Sequence, residues 1–101
     1  MKIRFEWDPH KAESNLDKHK VSFEIAVRAF ADPFALTEQD RVEGGEQRWQ
    51  TLGTVGGYCM LVVAHTIRDE GEDREPVEVI RIVSARKADR KERRRYEETT
   101  R

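Results

Sequence analysis

This sequence has almost none of the residues that staple or anchor small proteins. Its 101 residues include one cysteine, Cys59, so no intrachain disulfide can form; the thiol lies in the apolar run YCMLVVA and reads as a core residue. No apolar stretch approaches the ~20 residues a membrane-spanning helix needs. The opening MKIRFEWD alternates like a strand, unlike the charged, apolar, small-residue order of a secretory signal. Disulfide-rich secreted folds and helical membrane proteins are thereby set aside, and the expected location is the cytoplasm. Metal-ligand patterning is missing too. His10, His19 and His65 have no cysteine or carboxylate at ligand spacing, and no acidic cluster resembles a two-metal nuclease. The expectation is therefore no metal and no cofactor. No internal repeat or low-complexity linker interrupts the chain, so residues 1–101 read as one domain.

What the chain has in quantity is charge. Charged residues make up 39% of it while the net charge is only -1, so their distribution carries the information. Residues 1–30 hold six basic and five acidic groups, residues 31–78 four and eleven, and residues 79–101 nine and four. A cationic end behind an acidic middle offers polyanions a local site while discouraging non-specific binding.

Periodicity gives the element order. KIRFEW alternates with period two and predicts a strand. Asp8 as N-cap and Pro9 at the first helical position open a helix whose Ala12, Leu16 and His19 share a face. Ser22 caps a second helix with Phe23, Ala26, Val27 and Phe30 at i, i+3, i+4 and i+7, ended by Asp32-Pro33. Strands follow from FALTEQ, QRWQTLGTV, YCMLVVAHTIR and PVEVIRIVSA, with turns at Gly44-Gly45 and Gly56-Gly57 and an acidic loop, DEGEDRE. The charged segment closes as a third helix. The class is α+β: two N-terminal helices packed through Leu16, Phe23, Val27 and Phe30 on an antiparallel sheet of about four to five strands, then a C-terminal helix.

Strand faces locate the chemistry. In YCMLVVAHTIR, Cys59, Leu61, Val63, His65 and Ile67 alternate with Met60, Val62, Ala64, Thr66 and Arg68. In VEVIRIVSA, Ile80, Ile82 and Ser84 oppose Val79, Arg81 and Val83. Arg68 and Arg81 then leave the face away from the first two helices, on the side the basic third helix borders. An arginine between Ile80 and Ile82 is costly to bury without an anion. Arg68, Arg81, Arg86 and Lys87 make a reasonable phosphate site, since guanidinium groups bind phosphate oxygens bidentately and stay charged. His65 reads as a packing histidine, and Trp49 as an edge packing residue that can stack a base. The plain alternative for RKADRKERRR is a solvated helix laced with weak i to i+4 pairs.

One family brings these residues together. Trp7-Asp8, Lys11-Ala12, Asn15, Lys18-His19, Val21-Ser22-Phe23, Asp32-Pro33 and Ser84-Ala85-Arg86-Lys87-Ala88, followed by Glu92-Arg93 and Tyr96, resemble the BrnT toxins of bacterial type II toxin-antitoxin modules. The resemblance spans nearly the whole chain. It implies a RelE-like fold and a metal-independent ribonuclease that halts translation. It also implies a BrnA-type antitoxin partner, held in a heterotetramer. On that reading Arg68, Arg81 and Arg86 stabilise charge, Lys87 and Tyr96 transfer protons, and Arg90, Lys91 and Arg94 contact RNA. The chain departs from the pattern at Lys20, where glycine is more typical, and in a longer 68–78 loop. A non-catalytic nucleic-acid-binding module and a docking face for an acidic partner remain the alternatives.

Overall fold

The computed structural model describes residues 2–57 and 59–99. Strand β1 (Lys2–Trp7) leads into helix α1 (Pro9–His19) and a short helix α2 (Phe23–Val27), which tightens into a 3-10 turn over Arg28–Ala31. Strands β2 (Leu36–Glu43), β3 (Glu46–Val55), β4 (Cys59–Glu72) and β5 (Glu75–Lys87) follow, then helix α3 (Arg90–Thr99). The strands form one sheet in the order β1-β5-β4-β3-β2.

The expected RelE-like layout, two N-terminal helices on an antiparallel sheet, is corrected on both counts. The sheet is mixed, because β1 runs parallel to β5, pairing Lys2 with Val77 through Trp7 with Ile82. Strands β2 to β5 are joined by hairpins, which impose antiparallel neighbours; β1 reaches the sheet across a helical crossover that imposes no such reversal. The second helix is only five residues long. Its 3-10 continuation delivers Asp32 to β3, and Pro33 keeps Asp32 out of helical conformation. The acidic loop also shrinks: β4 and β5 pair as far as Glu72 with Glu75, leaving Asp73-Arg74 as the turn.

Local signals account for the rest of the layout. Asp8 caps α1, accepting from the His10 amide at 2.8 Å, and Ser22 caps α2, accepting from Ile25. Gly44 and Gly45, at φ 59° and 78°, supply the two left-handed residues of a tight β2–β3 turn. Gly53 is required by closeness. A Cβ there would lie 2.3 Å from the Ala29 carbonyl oxygen, so the 3-10 turn rests directly on β3.

The sheet separates two apolar clusters. On the helix side, Val21, Phe23, Ala26 and Ala29 meet Leu61, Val63, Ile82 and Ala85, flanked by Phe5, Trp7 and Phe30. Phe23 is fully buried with its ring against Trp7, and Phe30 packs between Phe5 and His65. Burying a phenylalanine contributes roughly 1.5–3 kcal/mol. Leu16 does not join this core: it is 47% exposed, and Asn15 points inward instead. The reason lies at the edge of β5, which continues past β1 from Val83 to Lys87. There Asn15 Oδ1 accepts from the Ala85 amide at 3.0 Å, while Nδ2 donates to the carbonyls of Ala85 at 2.8 Å and Val21 at 3.0 Å. The side chain stands in for a neighbouring strand.

Two positions carry testable energetics. Lys20 ends α1 at φ 61°, ψ 29°, its amide donating to the Leu16 carbonyl. A left-handed lysine carries a steric cost that glycine lacks. Lys20→Gly should therefore raise stability by ~0.5–1 kcal/mol in urea denaturation; a loss would refute the steric account.

His65 is buried in a chain of hydrogen bonds. The Thr66 carbonyl accepts from Nδ1, so Nε2 accepts from the Thr51 hydroxyl at 2.8 Å, which in turn meets Thr37 at 2.8 Å. Burial pushes the imidazole pKa down to about 4, against a partial upward pull from the Thr66 carbonyl. The unfolded chain takes up this proton near pH 6.5 and the folded chain only near 4, so stability falls as pH drops between those values, by roughly 3 kcal/mol in all. Guanidinium midpoints measured from pH 7 to 4 should show this slope, and a folded His65→Gln variant should flatten it.

Candidate nucleic-acid interface

Arg68, Arg81 and Arg86 all leave the sheet on the face away from α1, but a register shift is needed to bring the third there. Ala64 pairs with Ser84 and His65 with Ile82, so Val83 is an extra residue in β5. Such a bulge reverses the alternation beyond it. Ala85, not Ser84, therefore follows Ile82 into the helix-side core, and Arg86, opposite Val62, joins Arg81, opposite Thr66. The same reversal sends Lys87, opposite Leu61, to the helix side. Trp49 pairs with His65 and lies on that side too.

Each of the three arginines has found a carboxylate. Arg68 is engaged throughout: Nη1 and Nη2 donate to Glu6 at 2.9 and 3.0 Å, and Nε donates to Glu70 at 2.6 Å. Arg4 extends the group, donating to Glu70 at 2.9 Å. Hydrogen bonds from Arg68 hold Glu6 and Glu70 below the usual carboxylate range, and the two carboxylates raise Arg68. Because all four side chains are exposed, water screens most of this energy. Arg86 makes a two-pronged pair with Glu92, 2.8 Å at each contact. Arg86 holds the half-sheltered Glu92 carboxyl below its ordinary range.

Arg81 is the least committed of the set. One Nη donates to Glu46 at 2.5 Å, while its Nε is buried without a partner. Arg48 on β3 shares the second trait, a buried Nε with no partner. Trp49 pairs with His65, so Arg48 stands beside Thr66, whose other neighbour is Arg81. Two arginines thus flank Thr66 on the open face. Arg48 escaped the sequence reading although it carries the same signal as Arg81, a cation on an otherwise half-buried strand.

Helix α3 closes one end of this face. Asp89 and Glu92 form a reciprocal cap, the Glu92 amide donating to Asp89 Oδ1 at 2.8 Å and the Asp89 amide to Glu92 Oε1 at 2.9 Å, as in a capping box. Tyr96 packs with Leu52, Met60 and Val62. Its hydroxyl donates to Asp32 Oδ2 at 2.5 Å. That same oxygen accepts the Thr54 amide and hydroxyl, and Oδ1 accepts the Phe34 amide. Burial raises the Tyr96 pKa, reinforced by Asp32. Burial also works against ionised Asp32, but its hydrogen bonds prevail and hold the carboxyl low. Arg95 is tied to Glu38 at 3.0 Å. Lys87, Arg90, Lys91 and Arg94 have no ion-pair or hydrogen-bond partner among the described residues, leaving a cluster of unneutralised cations at the β5–α3 corner. Among the described residues, no three His, Cys, Asp or Glu side chains gather as a metal site, and no helix is long and apolar enough to cross a membrane.

Residues 7–92 match the family described as "Ribonuclease toxin, BrnT, of type II toxin-antitoxin system". The chain belongs to the BrnT family. The structure is similar to the 1.1 Å crystal structure of the ribonuclease toxin BrnT from Brucella abortus, with a TM-score of 0.51 at 17% identity over 89% of this chain and 100% of that one. At that identity the likeness speaks for the fold: a sheet-dominated α+β arrangement of the BrnT kind. No protein of curated function matches the sequence.

In this BrnT chain most family-marking residues have structural work. Trp7 and Phe23 pack together, Asn15 completes the edge of β5, Asp32 and Tyr96 fasten α3, and Glu92 caps it. Lys11, Lys18, His19 and Ser84 have no such explanation. The fastening of α3 can be tested. Tyr96→Phe keeps the ring but removes a bond to a carboxylate, and should cost ~1–2 kcal/mol. Combined with Asp32→Asn, the losses should be less than additive; strict additivity in denaturation would show that the two side chains do not share a bond.

Proposed function

We propose that this chain is the toxin of a type II pair, a ribonuclease that cleaves RNA without a metal and thereby stops translation. Membership of the BrnT family supports the ribonuclease reading. The observation that carries the site is Arg81, placed mid-face with two guanidinium nitrogens uncommitted, between Arg48 and the corner cations. RNA supplies its own nucleophile. A 2′-hydroxyl attacks the adjacent phosphorus and gives its proton to a base; the bond to the 5′-oxygen breaks, and that oxygen takes up a proton. A 2′,3′-cyclic phosphate remains on one fragment. The protein's share is a preorganised field for the charge that builds on the phosphoryl oxygens.

Arg81 leads that role, with Arg86 and Arg68 contributing once phosphate competes with Glu92, Glu6 and Glu70. Lys87, free of partners, is assigned to proton transfer. Tyr96 is assigned to holding α3, its hydroxyl being occupied by Asp32, and Arg90, Lys91 and Arg94 follow the RNA backbone. A BrnA-type protein antitoxin would silence the toxin by covering the same cations, in a heterotetramer. One observation favours a rival, a non-catalytic docking surface: Arg68 and Arg86 already sit in carboxylate pairs, as in a rigid interface.

Separate measurements of binding and cleavage distinguish the two. With EDTA present, wild-type protein should cut a structured RNA to cyclic-phosphate ends and leave its 2′-O-methyl counterpart intact. Arg81→Ala should lower cleavage by ~100-fold or more while weakening binding far less. Arg81→Lys should rescue poorly, since it keeps charge but loses the planar fork. Cleavage that disappears with EDTA, or binding and cleavage lost in equal measure, would overturn this mechanism.

A further inference from the structure

A cleft of about 370 Å³ opens between α1 and β5, lined by His10, Lys11, Ser14, Lys18, His19 and Ser84, with Asn15 and Val83 beneath. Its location follows from the strand lengths. Pairing with β1 stops at Ile82, and Asn15 takes over at Ala85, so Val83 and Ser84 run along an edge that no strand covers. No acidic residue lines the cleft; Glu13 and Asp17 of the same helix lie outside it. Neither lysine has an ion-pair partner among the described residues. Hydroxyl, imidazole and amide donors gathered round two free ammonium groups suit an oxyanion. Four of the lining residues, Lys11, Lys18, His19 and Ser84, are the family-marking side chains left without a structural role above.

We propose that this cleft binds a phosphate group of the RNA, with Lys11 and Lys18 as counter-charges and Ser14, His19 and Ser84 as hydrogen-bond donors. The assignment rests on the ribonuclease reading and extends it beyond the open face. Ser84 is two residues from Arg86, so cleft and corner share one stretch of β5 about 10 Å long. Lys87, turned to the helix side by the bulge, lies between them along the strand. RNA held at the corner therefore passes over the uncovered strand edge and places a neighbouring phosphate in the cleft. The cleft is a positioning site: it fixes how the substrate lies across β5, while the reacting phosphate stays with Arg81.

The test uses a 2′-O-methyl oligonucleotide, which binds without being cut. Fluorescence anisotropy across a salt series would compare wild type, the Lys11→Ala/Lys18→Ala double variant, Arg81→Ala and Lys20→Gly, which removes a nearby charge from outside the cleft. Both cleft lysines are exposed, so the double variant retains the core. The expected result is a salt slope reduced by about two for the double variant, one per lost phosphate contact, and an unchanged slope for Lys20→Gly. In NMR spectra, His19 and Ser84 signals should move when wild type meets the oligonucleotide and stay still in the double variant. A double variant with the wild-type slope, beside an Arg81→Ala variant whose slope falls, would overturn the cleft and leave the ribonuclease reading standing. Wild type that neither binds the oligonucleotide nor cuts RNA would overturn both. A double variant that loses only its hold on the antitoxin would make the cleft a protein contact and end the proposal.

Discussion

Strand β5 must hydrogen-bond on both sides along its buried length, and only part of one side is served by another strand. β4 covers one edge for the whole span, but β1 stops five residues short of Lys87. A buried amide or carbonyl left unpaired there would cost on the order of 1–3 kcal/mol. One asparagine on a helix closes the gap with three bonds. From this follow the seat of α1, the exposure of Leu16, the uncovered edge beside Val83 and the lysine-lined cleft above it. The site residues depend on the same strand, because its bulge decides which of Arg86 and Lys87 shares a face with Arg81.

The carboxylates set against the arginines give the open face a second property. Glu6, Glu46, Glu70 and Glu92 sit where phosphate oxygens would sit, so the face is neither bare nor strongly attractive at rest. Binding becomes an exchange of one set of oxygens for another. Exposed pairs such as Arg68 with Glu6 exchange at little cost, being screened by water. Arg86 with Glu92 exchanges least readily, since Glu92 is nearly buried and also caps α3. An acidic middle and a basic end thus cancel in space as well as in sum, leaving the free cations of α3 to make first contact with a polyanion.

Much of this was readable from neighbouring residues. Asp8, Ser22 and Asp32-Pro33 mark their boundaries through short-range bonding and sterics, and the alternation in β4 assigns its two faces as found. What was hidden depends on residues distant in sequence. Nothing in KIRFEW states its direction, so its parallel pairing could not be read from it. The helical stripe that favoured Leu16 ignores what the neighbouring strand needs, and a polar Asn15 answers that need better than any apolar side chain. The bulge at Val83 changes no residue type and so leaves no periodic trace until β4 is paired. Partners such as Glu46 for Arg81 lie 35 residues apart, beyond any local pattern. Only the resemblance to BrnT toxins pointed to RNA; composition gave a preference for polyanions and no more.

The bare contact between Gly53 and the Ala29 carbonyl has a mechanical meaning. Two stretches of main chain touch there with no side chain to cushion them, so neither can shift without carrying the other. Thr54 follows Gly53 directly, and Asp32 lies three residues beyond Ala29; together they make the socket that receives the Tyr96 hydroxyl. That socket cannot widen by side-chain rotation alone. The last helix is therefore moored to a rigid block, and its charged surface stays aligned with the sheet even though few apolar groups hold it there.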